Sequence, residues 1–109
     1  MNRELRILSH AHRDFSEIVG WLSNNSVDGA NRWVDAFDAA LATIGETPFA
    51  QPLAAEAEFV KTEIRQILFH TRRGRNYRIV FAVFDDEIRI VRVRAPGQDL
   101  LIREDLALD

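Results

Sequence analysis

The sequence predicts an α+β fold of order β-α-α-β-β-β, with a helical hairpin packed on one face of a small, mostly antiparallel sheet. Three observations carry that expectation. Apolar residues recur at helical spacing from Ala11 to Leu22 and again from Ala30 to Ile44. From Glu63 to Ala95 the pattern changes to short runs rich in β-branched and aromatic residues, separated by a basic loop and an acidic turn. At 109 residues with a hydrophobic fraction of 47%, the chain can build one core and has no length for a second, so a single domain over 1–109 is expected.

Arg3 to Leu8 alternates, with Arg3, Leu5 and Ile7 against Glu4, Arg6 and Leu8, and suits a first strand. Ser9 is placed to cap a first helix, whose stripe is Ala11, Phe15, Ile18, Val19 and Leu22. Ser23–Asn25 supplies residues to end it. Ser26 or Asp28 can cap a second helix with the stripe Ala30, Trp33, Val34, Phe37, Leu41 and Ile44. Gly45 suits the position just past its end, with Pro48 beyond. A link of about four residues forces the helices antiparallel. Each has one apolar stripe, so the pair must bury against the sheet. Trp21 and Trp33 are expected to meet across the hairpin as core.

Glu46–Lys61 contains Pro48 and Pro52 and has no clear period, which suits an irregular crossing segment with a short helical turn near Leu53–Ala57. Glu63–His70 then reads as a strand and Thr71–Asn76 as a loop with Gly74 at its tip. Tyr77–Phe84 is the next strand, with Tyr77, Ile79, Phe81 and Val83 on one face. Asp85-Asp86 makes a tight turn into the last strand, Glu87–Ala95, and both junctions should be antiparallel hairpins. Pro96-Gly97 ends the sheet. Gln98–Leu108 is a short tail with a helical turn from Leu100.

The chain has no cysteine, which excludes disulfides, thiolate zinc sites and thiol catalysis. Its first residues lack a long apolar run and no stretch reaches the length of a membrane span, so a cytoplasmic protein is expected. A net charge of −3 conceals an asymmetry. Residues 1–63 carry five Lys/Arg and ten Asp/Glu, residues 64–98 carry eight Arg and three acids, and residues 99–109 carry one Arg and four acids. An acidic helical half is thus joined to a basic sheet half. Of the 14 basic side chains only Lys61 is a lysine, and the planar guanidinium fork suits phosphate or carboxylate.

The chemistry therefore concentrates on arginines. If Arg65, Arg92 and Arg94 point to the open face of the sheet, they form a phosphate-positioning cluster that Arg78 can join. The alternative is pairing with Glu63, Asp85, Asp86 and Glu87 across the sheet. Arg72, Arg73 and Arg75 make the loop before Tyr77 the densest positive patch, able to hold phosphate or the acidic segment of a partner. His70, the one histidine of the basic half, could act as an acid–base near neutral pH. Asp14 and Glu17 read as the solvated edge of the first helix. His10 and His12 do not share a helix face, so no metal pair arises, and no cofactor motif is present.

These residues, taken together, resemble the RelE/ParE superfamily of toxins from type II toxin–antitoxin modules. The likeness rests on Ala11, Asp14, Phe15, Ile18 and Trp21 in the first helix, and on Ala30, Phe37 and Leu41 in the second, followed by Pro48. It continues through Ile64, Arg65 and Ile67, the run Tyr77 to Val83, and Asp86, Ile88, Ile90, Val93 and Arg94, covering about residues 3–100. The resemblance implies either ribosome-dependent cleavage of messenger RNA, as in RelE-like toxins, or inhibition of DNA gyrase, as in ParE-like ones. It also implies neutralisation by a cognate antitoxin through an acidic helical segment, in a hetero-oligomer. Arg65 and Arg94 fall at the family's arginine positions and, with His70, are the catalytic candidates. Where many members have histidine after the last-strand arginine this chain has Ala95. No tyrosine follows Tyr77 and no lysine follows Lys61. These departures place the expectation on the ParE-like side, as a toxin that binds its target.

Overall fold

The computed structural model describes residues 3–108. Its elements run β1 (Glu4–Ile7), α1 (Ser9–Asn25), α2 (Val27–Glu46), β2 (Ile64–Phe69), β3 (Tyr77–Val83) and β4 (Glu87–Arg94), with 3-10 turns at Pro48–Ala50, Ala55–Phe59 and Arg103–Asp105. The sheet has the order β1-β4-β3-β2. β2, β3 and β4 form two antiparallel hairpins, and β1 closes the other edge in parallel with β4, Leu5 opposite Ile88. The α+β order expected from periodicity is the one observed.

The helix ends differ from expectation, for local reasons. Leu8, not Ser9, caps α1. Its amide donates to the Ile90 carbonyl at 3.0 Å while its carbonyl accepts the His12 amide at 2.9 Å. One residue thus ends the β1–β4 ladder and begins the helix, leaving Ser9 in the first turn. The helices are joined by Ser26 alone. Its amide closes α1 on the Leu22 carbonyl at 2.8 Å, its carbonyl accepts from Ala30 at 3.0 Å, and its hydroxyl accepts from Gly29 at 2.9 Å. Gly45 lies inside α2, which continues to a cap at Thr47. Helical backbone carries it over β1, where a methyl group would make ordinary contact with Leu5.

The helical face of the sheet holds an aromatic core. Trp33 and Phe37 of α2 pack with Phe15, Phe69 and Tyr77, ring centroids lying 4.9–5.8 Å apart. Beneath them lie Ile79, Phe81, Ile88, Ile90 and Val93. The expected Trp21–Trp33 contact does not form. Trp33 is buried, whereas Trp21 is 64% exposed.

The opposite face is not open. Leu8, Ala54, Ile64, Val80, Ala82, Val91, Leu101 and Leu106 form a second buried cluster. The tail after β4 and the segment before β2 therefore cover the face expected to work. A β-bulge aligns the two layers: Val80 faces Arg92 and Phe81 faces Ile90, so Val91 is the extra residue. The bulge shifts the inward–outward phase of β4, placing Ile88, Ile90 and Val93 on the helical core and Val91 on the tail-side core. Gly97, at φ +82°, supplies the left-handed residue that turns the chain back into the tail.

Candidate functional site

The strand arginines do not form one cluster. In β2, Ile67 and Phe69 belong to the helical core and Ile64 to the tail-side core, so alternation puts Arg65 on the helical face. There its guanidinium lies 5.5 Å from the Phe49 ring centroid, donates to the Gln51 carbonyl at 2.6 Å and pairs with Glu63. Arg65 pins the segment after α2 to the sheet edge. It shares no face with Arg78, Arg92 and Arg94.

Those three lie on the tail side, each with an internal role. Arg78 forks onto Glu56, both N–O distances being 2.7 Å, and also donates to Gln66 at 3.1 Å. Glu56 is fully buried and accepts the Leu101 amide at 3.0 Å. Desolvation pushes its carboxyl up, but the bonds from Arg78 and from the Leu101 amide outweigh that and hold it at about 2. Arg92 forks onto Asp14 at 2.7 and 2.9 Å, and Asp14 also accepts the Val93 amide at 3.0 Å. The expectation that Asp14 is a solvated edge is thereby overturned. β1 ends opposite Ile90, and the Asp14 carboxylate takes up a ladder donor beyond that point. The bond to Asp14, offset in part by burial, raises the pKa of Arg92. Arg94 donates to the Asp99 carbonyl at 2.7 Å, and its Nε is buried without a partner among the described residues. Burial, then repulsion from Arg92, lowers its pKa. Arg89, which the sequence did not single out, stacks 4.1 Å over Phe84, pairs with Glu87 and donates to the Leu108 carbonyl at 2.9 Å.

Pairing with acids is therefore the fate of most strand arginines, and only in part with the expected partners. Only Glu63 and Glu87 of the four named acids take part, and Asp14 and Glu56 carry the strongest pairs. Asp14 was visible in principle. It lies three residues after Ala11 and four before Ile18, on the border of the buried stripe, where a carboxylate needs a partner. Glu56 sits in an aperiodic segment and gave no such signal.

The densest group of unpaired cations among the described residues belongs to the β2–β3 loop, while Arg13, Arg32 and Lys61 stand singly elsewhere. Arg72, Arg73 and Arg75 are exposed and have no hydrogen bond or ion pair among the described residues. Gly74 lets this loop turn tightly, since a Cβ there would collide with the Thr71 hydroxyl. His70, at the loop's start, is exposed with Nδ1 2.7 Å from the Thr71 carbonyl. That contact puts the proton on Nδ1, and no carboxylate orients the ring. Beside the loop opens a groove of about 810 Å³, walled by Trp21, Trp33 and Tyr77 and by Arg75, the start of α2 and the turn after β4. Among the described residues no three His, Asp or Glu gather as a metal site, and no helix is long and apolar enough to cross a membrane.

Free cations beside an apolar groove suit recognition of a partner, and the fixed strand arginines suit structure. No curated protein matches the chain. Residues 5–100 match the family described as ParE toxin of type II toxin-antitoxin system, parDE. That match spans every helix and strand of the fold except the first residue of β1, and the chain belongs to this family of ParE toxins.

Proposed function

We propose that the protein is a binding toxin that inhibits DNA gyrase in the cytoplasm and is silenced by a cognate antitoxin docked on the β2–β3 loop. One observation carries the reading: Arg65, Arg78, Arg92 and Arg94 are all engaged by the chain's own acids and carbonyls. Cleavage of RNA needs a base for the 2′-hydroxyl, an acid for the leaving oxygen and cations for the phosphorane. His70 lies outside the sheet faces, and Ala95 offers no acid–base group. Binding needs none of these. It needs an accessible surface with unspent charge, and Arg72, Arg73 and Arg75 supply one for an acidic antitoxin segment.

Expression from a tightly controlled promoter tests the reading. Growth should stop with loss of plasmid supercoiling and intact messenger RNA. Cuts phased to codons would replace this reading with ribosome-dependent endoribonuclease activity. Normal growth would leave a non-toxic binding module.

A further inference from the structure

We propose that the groove between the helical hairpin and the β2–β3 loop is a nucleoside-phosphate site, with the base on Trp21 and the phosphates toward Arg75. Its volume, about 810 Å³, lies within the span of small-molecule sites. Trp21 presents a 64% exposed indole to it, a stacking platform that no residue of the chain covers among the described ones. Trp33 lines the same groove. It is 2% exposed, and its Nε1 is a buried donor with no acceptor among the described residues, closed off from the groove, so Trp33 contributes apolar wall.

The charge in and around the groove favours a phosphate. Arg75 lines the groove without an ion pair, and Arg72 and Arg73 extend the positive rim. Two acids oppose this: Glu17 in the wall and Asp28 in the first turn of α2. Glu17 suits a ribose hydroxyl, which is a donor, and Gln98 and Asn25 offer amides for a base edge. The site stands independently of the gyrase reading, since its test reads binding and not toxicity.

Titration calorimetry of the full chain tests it, with ATP, GTP, inorganic triphosphate and short single-stranded oligonucleotides with and without a 5′-phosphate. Saturable binding of one nucleotide per chain is expected, with Trp21→Ala and Arg75→Ala each weakening it about tenfold, in line with the loss of one stacked base or one phosphate contact. Both side chains are exposed, so the thermal midpoint should not move, whereas Leu68→Ala, an exposed β2 residue outside the groove's lining, should leave affinity unchanged. Tighter binding of the 5′-phosphorylated strand than of mononucleotide would assign the site to a strand end, and the reverse to free nucleotide. Equal binding of inorganic triphosphate, affinity unmoved by both substitutions, or no binding at millimolar nucleotide would each overturn the proposal. So would saturable binding of an acidic amphipathic peptide with none of nucleotide.

Discussion

Replacing Glu56 by glutamine isolates the charge of a group that ties three segments together. The carboxylate is fully buried, takes both arms of Arg78 from β3 and the Leu101 amide from the tail, and itself belongs to the segment before β2. Its pKa falls from 4.5 to about 2 on folding, so the folded state holds the ionised form more strongly. At about 1.4 kcal/mol per unit this contributes about 3 kcal/mol. The contribution is present in full above pH 4.5 and is lost as pH falls toward 2, because the group is depressed, not raised. Glu56→Gln keeps the shape but leaves Arg78 facing a neutral amide, at a cost of about 3–5 kcal/mol. Urea unfolding at pH 7 should therefore show that loss, and the gap to the parent should shrink steadily between pH 4.5 and 2. A companion pair, Glu56→Leu with Arg78→Met, removes both charges and should recover most of it. A Glu56→Gln protein within about 1 kcal/mol of the parent at pH 7, or a gap independent of pH, would refute the buried pair as a stabilising tie.

Three further outcomes follow from the same geometry. Asp14→Ala strips the partner from Arg92 and from the Val93 amide and should cost about 3–5 kcal/mol in urea unfolding, while the exposed Glu17→Ala should stay within about 0.5 kcal/mol. Trp33→Ala, at the centre of the aromatic core, should cost about 3–5 kcal/mol, and Trp21→Ala less than about 0.5 kcal/mol, both read from thermal melts. Joint replacement of Arg72, Arg73 and Arg75 by alanine should leave the melt unchanged yet weaken antitoxin binding and flatten its salt dependence. Calorimetry at two ionic strengths checks this.

Periodicity revealed the elements and failed at their junctions. The stripes of α1 and α2 and the alternation of β3 follow from burial of one face, which sequence reports directly. Leu8 could not be read as a cap, because its role depends on the Ile90 carbonyl across the sheet. Ser26 could be read as a cap, but not as the whole connection. The bulge at Val91 left a trace: Ile90-Val91 are adjacent apolar residues in a strand that otherwise alternates with arginine. That trace also bears on the arginines, since one slip of phase decides which face Arg92 and Arg94 occupy. The covering of the second face left little trace. Leu101, Leu106 and Leu108 sit in a tail without regular period, and their burial depends on the turn at Gly97 and on the ties to Glu56, Arg89 and Arg92.

The uneven charge of the sequence thus has an internal meaning. Five strand arginines reach a segment that has no strand of its own to pair with: Arg65 the stretch after α2, Arg78 the turn before β2, Arg92 both α1 and the tail, Arg94 the start of the tail, Arg89 its end. Glu56, Asp14 and Asp105 are the counterparts of Arg78 and Arg92, so the basic sheet and the acidic segments meet in these pairs within the fold. A net charge of −3 is what an outside partner meets at distance, and the three loop arginines are a local concentration of the opposite sign. Folding and recognition should therefore separate by position. Substitutions at Arg78 and Arg92 should lower stability first and binding only as a consequence, whereas those at Arg72, Arg73 and Arg75 should lower binding in a protein that melts like its parent. A strand-arginine variant of full stability that had lost its target would break this division.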